Sequence, residues 1–176
     1  AKLEMQAIYD AVGDKIQEIF DAQTVSFMTY DRATNLLNGA YLYEMGERID
    51  IAGRSAAAFG FRKHVIQTRK SMMVNQEMDR LSKEYDNPTY VGVDSKSAIF
   101  VPMISGDEVV GVISLQNMER ENAFSESDVR LLETLANAMS VALQNAQSFK
   151  AEQERVAELA IINSVQEGLA SKLDMQ

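Results

Sequence analysis

The chain has 176 residues, 46% hydrophobic and 24% charged, enough for one globular domain with a core and some helix to spare. It has no cysteine and a single histidine, His64, which excludes disulfides, thiolate metal sites, thiol nucleophiles and multi-histidine metal centres. A net charge of −9 has the wrong sign for a phosphate-backbone binder, no apolar run approaches the roughly 20 residues of a membrane span, and no signal-peptide pattern opens the chain, so neither nucleic acid nor membrane is an expected partner.

The first residue is Ala rather than Met, as expected of a piece of a longer protein. Lys2 to Ala22 is predicted to be a helix, because Ile8, Val12, Ile16 and Ile19 recur at spacings of four and three, with Tyr9 and Phe20 widening the stripe. Gly13 inside that helix costs about 1 kcal/mol against alanine, which a close packing contact would explain. Thr24 to Tyr30 is rich in strand formers, Asp31 to Asn35 reads as a turn, and Leu36 to Glu44 as the hairpin partner. Thr24, Ser26, Met28 and Tyr30 share one face of the first strand. Both of its faces are chemically mixed, which suggests that the strand borders a cavity.

Gly46 to Arg54 reads as loop, Ser55 to Arg69 as a helix interrupted at Gly60, and Ser71 to Asn75 as a short strand. Gln76 to Asp94 is polar and irregular and carries the turn signals Asn87-Pro88 and Gly92; a connection this long makes it a candidate lid. Ser97 to Ile104 and Glu108 to Gln116 flank the turn Ser105-Gly106-Asp107 as a hairpin. Their nearly continuous apolar character predicts central strands covered on both faces. A helix start follows, with Ser125 as N-cap, Asp128 at N3, and Phe124 and Val129 placed for a hydrophobic staple. Leu132, Leu135, Met139, Ala142, Ala146 and Phe149 continue it as one stripe, and Val156, Leu159, Ile162, Val165, Leu169 and Leu173 extend the pattern. A helix running from about Ser127 to Gly168 exceeds what one domain covers and calls for a partner helix. A homodimer is therefore expected, paired through the first and last helices with Ile8, Val12, Leu135, Met139, Val156 and Leu159 at the contact.

The opening hexapeptide Ala1-Lys2-Leu3-Glu4-Met5-Gln6 is echoed by Ser171-Lys172-Leu173-Asp174-Met175-Gln176, four positions identical and two conservative. The offset of 170 residues is one domain long, as a tandem arrangement would give.

The segment SAIFVPM…DEVVGVISLQN followed by AFSESDVRLLETLA resembles the C-terminal half of GAF domains, and Ser71 to Asn75 with Asp79-Arg80 resembles their short third strand and following loop. The resemblance extends over about residues 3 to 150. It implies an α+β fold with a central antiparallel sheet of five or six strands, dimer helices on one face, and a ligand pocket under short helices and loops on the other. Residues 1–150 would be the domain and 151–176 a helical linker to a following, tandem domain. Laid on this sequence, the pocket would take apolar or aromatic walls from Met28, Tyr30, Tyr90 and Phe100, and hydrogen-bonding groups from Ser26, Asn75, Asp79 and Gln116.

Some members that bind cyclic nucleotides carry Asn-Lys…Phe-x-x-x-Asp-Glu. Here Asn117, Phe124 and Asp128 match, but Met118 replaces the Lys and Val129 the Glu, leaving Arg120 as the nearest substitute cation for Asp128. The partial match argues against a cyclic nucleotide, and staple and cap already account for Phe124 and Asp128. Members that attach a bilin, and those that reduce methionine sulfoxide, use cysteines that are absent here. The ligand is thus left unknown.

Elsewhere, His64 could serve as a haem ligand, but beside Arg62 and Lys63 it reads better as a half-exposed residue of a polar helix face. The acidic Glu77, Asp79, Glu84, Asp86 and Asp94 match no calcium-loop spacing and read as a solvated loop. No nucleophile–base pair and no Gly-rich phosphate loop can be assembled. Met28, Met72, Met73, Met103 and Met118 fall on or beside strands, mostly as core filler. The expected function is a non-catalytic sensory module of a cytoplasmic signalling protein whose output domain is a kinase, cyclase, phosphodiesterase or transcription regulator. The alternative is a ligand-free dimerisation spacer.

Overall fold

The structure is a computed structural model and describes residues 2–88 and 94–175. Its centre is an antiparallel sheet in the order β3-β2-β1-β7-β6-β5, formed by β1 (Thr24–Asp31), β2 (Leu36–Glu44), β3 (Glu47–Ile49), β5 (Met72–Val74), β6 (Ser97–Ser105) and β7 (Glu108–Asn117). A seventh strand, β4 (Ser55–Ala57), also pairs with β2. Helices α1 (Lys2–Ile19) and α4 (Glu126–Asp174) cover one face; α2 (Gly60–Thr68) and α3 (Met78–Glu84) lie on the other.

Alternation along the strands builds the dry side. Val25 and Phe27 of β1, Ile99 and Val101 of β6, and Ile113 and Leu115 of β7 are all fully buried against Ile16 of α1 and Leu132, Ala136 and Met139 of α4. β6 and β7 are buried on both faces because the second helical layer covers them too, as their continuous apolar runs predict. The start of α4 is also as predicted. Ser125 Oγ accepts from the Asp128 N–H at 3.2 Å, Asp128 Oδ2 accepts from the Ser125 N–H at 2.8 Å, and Phe124 is buried with Val129 beside it.

Gly13 of α1 is where the helix meets the sheet. A Cβ built there would lie 2.3 Å from the ring of the fully buried Tyr41. The Tyr41 hydroxyl donates to Asp14 Oδ1 at 3.0 Å and accepts from Gln17. Burial first, and then the Asp14 carboxylate, push its pKa up from 10.0 to about 12. The folded chain thus keeps this proton after the unfolded chain has released it, so the contribution is complete below pH 10 and is lost as pH climbs toward 12. Thermal midpoints measured from pH 9 to 11.5 should fall more steeply for the native sequence than for Tyr41→Phe; equal slopes would remove Tyr41 as the cause.

Four expectations need correction. The first helix ends at Ile19, and Ile19 is 44% exposed rather than part of the buried stripe. Ser55 to Ala57 forms an edge strand, and α2 begins only at Gly60, whose φ of +58° and close approach to the Asn87 side chain favour glycine. Glu47 to Ile49, read as loop, adds the other short edge strand. Within the supposedly irregular 76–94 stretch lies α3, because Met78, Leu81 and Tyr85 recur at helical spacing and pack on the second core cluster.

α4 is a single helix of 49 residues, roughly 70 Å long. Its buried line is Leu132, Ala136, Met139 and Leu143, while Leu135, Ala142 and Ala146 are half-buried and Phe149 is exposed. Beyond Ala146 every described residue of α4 is exposed, and no break occurs near residue 150.

Candidate functional site

Between the sheet and the α2–α3 layer lies a cavity of about 340 Å³. Its floor follows from the strand register. Leu42, Ser26, Ser114, Phe100 and Met72 stand side by side across β2, β1, β7, β6 and β5, and Glu44, Thr24, Gln116, Ala98 and Val74 form the next row. These are the face opposite Val25 and Phe27, so a period of two separates the dry core from the cavity within the same strands.

Ser26 and Ser114 are buried and share a hydrogen bond of 2.6 Å between hydroxyls. Above them stands Arg62 of α2, brought inward because it lies between the buried Phe61 and Val65 on a helix that starts at Gly60. Its Nη2 donates to Ser26 Oγ at 3.2 Å and to Ser114 Oγ at 3.1 Å. Its guanidinium carbon is 5.4 Å from the centroid of the Phe100 ring. Part of the side chain still reaches solvent, but desolvation pulls its pKa down to about 10, so at neutral pH it remains a cation held at a cost. Among the described residues no carboxylate pairs with it; Arg54, Arg69 and Arg130 likewise have no ion pair, but among the described residues only Arg62 has its guanidinium drawn in over the buried serines. Arg62 Nε and Thr24 Oγ1 are buried without a hydrogen-bond partner among the described residues.

Of the residues predicted for a pocket, Met28, Phe100 and Gln116 line this cavity, and Ser26 lies in its floor beneath Arg62. Tyr30 stands farther along β1, its hydroxyl donating to Asn35 Oδ1 at 2.9 Å. Asn75 lies elsewhere: its Nδ2 donates to the Phe124 carbonyl at 2.8 Å and its Oδ1 accepts from the Phe124 N–H at 3.3 Å, tying β5 to the start of α4. Asp79 does not line the cavity itself; with Glu77, Lys96 and Glu121 it borders an adjoining depression that shares Met78, Asp94 and Ser95 with the cavity wall. Tyr90 lies outside the described residues. Of the methionines, Met28, Met78 and Met118 line the cavity and Met103 is core.

The partial motif is taken up by structure. Asn117 is fully buried; its Nδ2 donates to the Asp21 carbonyl at 3.0 Å, and its Oδ1 accepts from the Glu119 and Arg120 N–H groups, both at 3.0 Å. Arg120 does not substitute for the missing lysine. It pairs with Asp21 at 2.6 Å, while Asp128 is occupied in the capping box. His64 packs edge-on to Tyr85, ring centroids 4.9 Å apart, and no cluster of three or more metal-ligating side chains exists among the described residues.

Of the predicted pairing residues, Val156 and Leu159 are exposed, while Ile8, Val12 and Leu135 are half-buried against the core. Met139 must be removed from that surface. At 1% exposure it is a core residue of its own domain, because it faces the sheet.

Arg62, Ser114 and Thr24 are the residues that sequence reasoning passed over as site candidates. Ser114 carried a signal, a hydroxyl inside the apolar run Val109 to Leu115. Arg62 carried none, since only the helix start at Gly60 turns it inward.

A family model described as GAF domain matches residues 2–144. Among curated proteins, the formate hydrogenlyase transcriptional activator FhlA of Escherichia coli (strain K12) is 23% identical over 155 residues, which is 85% of this chain but only 22% of that protein. Among solved structures, residues 122 to 287 of a methyl-accepting chemotaxis protein superpose with a TM-score of 0.70 at 16% identity, over 84% of this chain and 93% of that one. A type II free methionine-R-sulfoxide reductase from Thermoplasma acidophilum superposes with a TM-score of 0.64 at 18% identity, over 82% and 94%.

Proposed function

The chain belongs to the GAF domain family, and on that premise we propose that it is the non-catalytic sensory module of a larger signal-transduction protein. A small molecule binds in the cavity above Ser26 and Ser114 and biases the packing of α4 in a homodimer. The observation that carries this reading is the placement of the cavity and α4 on opposite faces of the same strands. Ser26 and Ser114 lie on the cavity side of the sheet, beneath Arg62, while their neighbours Phe27, Ile113 and Leu115 pack in the core that α4 covers. A ligand that preferred one arrangement of this sheet would therefore shift the population of helix arrangements. The exposed stripe Val156, Leu159, Ile162, Val165 and Leu169 supports helix pairing, since these side chains have nothing of their own domain to cover them.

Residues 1–150 would then form the sensor and 151–176 the helical lead to a following, tandem domain, in a cytoplasmic protein whose output is a kinase, cyclase, phosphodiesterase or transcription regulator. The absence of cysteine supports the non-catalytic reading against the chemistry of its reductase relative. Analytical ultracentrifugation at tens of micromolar is expected to show a dimer, and Leu159→Asp is expected to raise its dissociation constant by roughly tenfold or more. A monomeric native chain, or a Leu159→Asp variant that pairs as before, would remove the dimer from the mechanism.

A further inference from the structure

We propose that the cavity takes a small organic monocarboxylate, its carboxylate held by Arg62 and its apolar remainder lying against Met28, Phe59, Phe100 and Met118. This rests on the sensory reading and names the chemistry of the same site.

The argument begins with unused donors. Of the three guanidinium nitrogens, Nη2 alone has hydrogen-bond partners among the described residues. The Ser26–Ser114 pair shares one hydroxyl hydrogen, and both oxygens accept from Arg62, which leaves the second hydroxyl hydrogen without an acceptor there. Thr24 Oγ1, on a residue only 4% exposed that lines the same cavity, has no partner among the described residues either. Buried donors without acceptors are rare because each costs as much as a lost hydrogen bond. A carboxylate accepts only, at up to four lone-pair positions, so as the ligand group that faces Arg62 it matches such a set, whereas a group that presents its own N–H or O–H there does not. A charged, fork-shaped donor group also favours a planar oxyanion over a neutral carbonyl.

The same lining limits the charge. Glu44 and Asp94 border the cavity with Arg62, so a second negative charge on the ligand would face two carboxylates. Six apolar side chains (Met28, Leu42, Phe59, Met78, Phe100 and Met118) form the apolar part of the wall, Ser82, Asn87, Ser95 and Gln116 add neutral polar groups to it, and about 340 Å³ suits a molecule of a few carbons. A monocarboxylate with an apolar or positively charged remainder meets all of these conditions. Phosphate and dicarboxylates do not.

The test is calorimetric titration of the 176-residue protein with monocarboxylates of two to six carbons, plain and with hydroxyl, keto or amino substituents. The matching primary amides, succinate and inorganic phosphate run alongside. At least one monocarboxylate should bind saturably, roughly tenfold or more tighter than its amide and than succinate. Arg62→Met should weaken that binding by a similar factor without lowering the thermal midpoint, because it removes a desolvated cation, and Arg62→Lys should recover part of it. Equal binding of acid and amide, preference for phosphate or succinate, or full binding by Arg62→Met would overturn the proposal. If a wider metabolite screen finds only neutral or cationic binders, the carboxylate assignment falls and the sensory reading stands. If nothing binds in either screen, both fall, and the domain is a dimerisation spacer.

Discussion

Gly13→Ala is expected to destabilise the domain by about 2–3 kcal/mol, although alanine in a helix interior normally gains about 1 kcal/mol over glycine. The new methyl would lie 2.3–2.6 Å from three ring atoms of Tyr41. That ring has nowhere to go. Phe27 packs on it at a centroid distance of 5.1 Å, the Arg48 guanidinium lies 3.9 Å from its centroid, and its hydroxyl is held by Asp14 and Gln17 of the same helix. Either α1 lifts off the sheet or Tyr41 leaves its site, and both open the core. Thermal unfolding should show a fall of roughly 5–10 °C for a chain of this length. A midpoint that rises instead would mean that helix propensity outweighs the contact. In the Tyr41→Leu background the same substitution should cost much less, since the two changes share one contact.

Asn117→Ala should cost about 2–4 kcal/mol, because one side chain satisfies three backbone groups in a buried site. Without it the Asp21 carbonyl and the Glu119 and Arg120 N–H groups lose their partner, and the connection after β7 is no longer fastened to the one before β1. Urea denaturation is expected to show a lower midpoint with an unchanged slope. A variant as stable as the native chain would show that water replaces all three bonds. The result bears on function, since Asn117, Phe124 and Asp128 look like remnants of a nucleotide signature yet each has a structural occupation. The bland explanation of a motif residue is the stronger one when its hydrogen bonds are already accounted for within the fold.

The functional side differs in this respect. Around Arg62 the hydrogen bonds are not accounted for among the described residues: a desolvated cation and an unpartnered threonine line one cavity, and a surplus hydroxyl hydrogen lies directly beneath the cation. A fold selected for stability alone would place a carboxylate or an apolar side chain there. This contrast between a satisfied motif and an unsatisfied cavity is what directs the functional reading to α2 and the β1–β7 floor rather than to the loop after β7.

Sequence by itself determined the elements whose signals are local. The hairpin of β6 and β7, the Ser125–Asp128 capping box, the Phe124–Val129 staple and the great length of α4 all follow from residues close together in the chain, where period and cap chemistry act over one or two turns. The close contact at Gly13 was legible as an energetic anomaly in an otherwise regular helix. Only the tertiary structure decided the rest. Ser55 to Ala57 became a strand because an edge of β2 was available to pair with it, and Met139 became core because the sheet lies on its side of α4. Asn75 became a clamp because Phe124, 49 positions later, presents both its backbone groups to it. The cavity itself depends on register. Ser26 meets Ser114 across 88 residues of chain, and Arg62 reaches both only because α2 starts at Gly60. Local propensity fixes where strands and helices are, but which polar side chains converge is set by strand register and helix phase, and these are chosen by packing between distant segments.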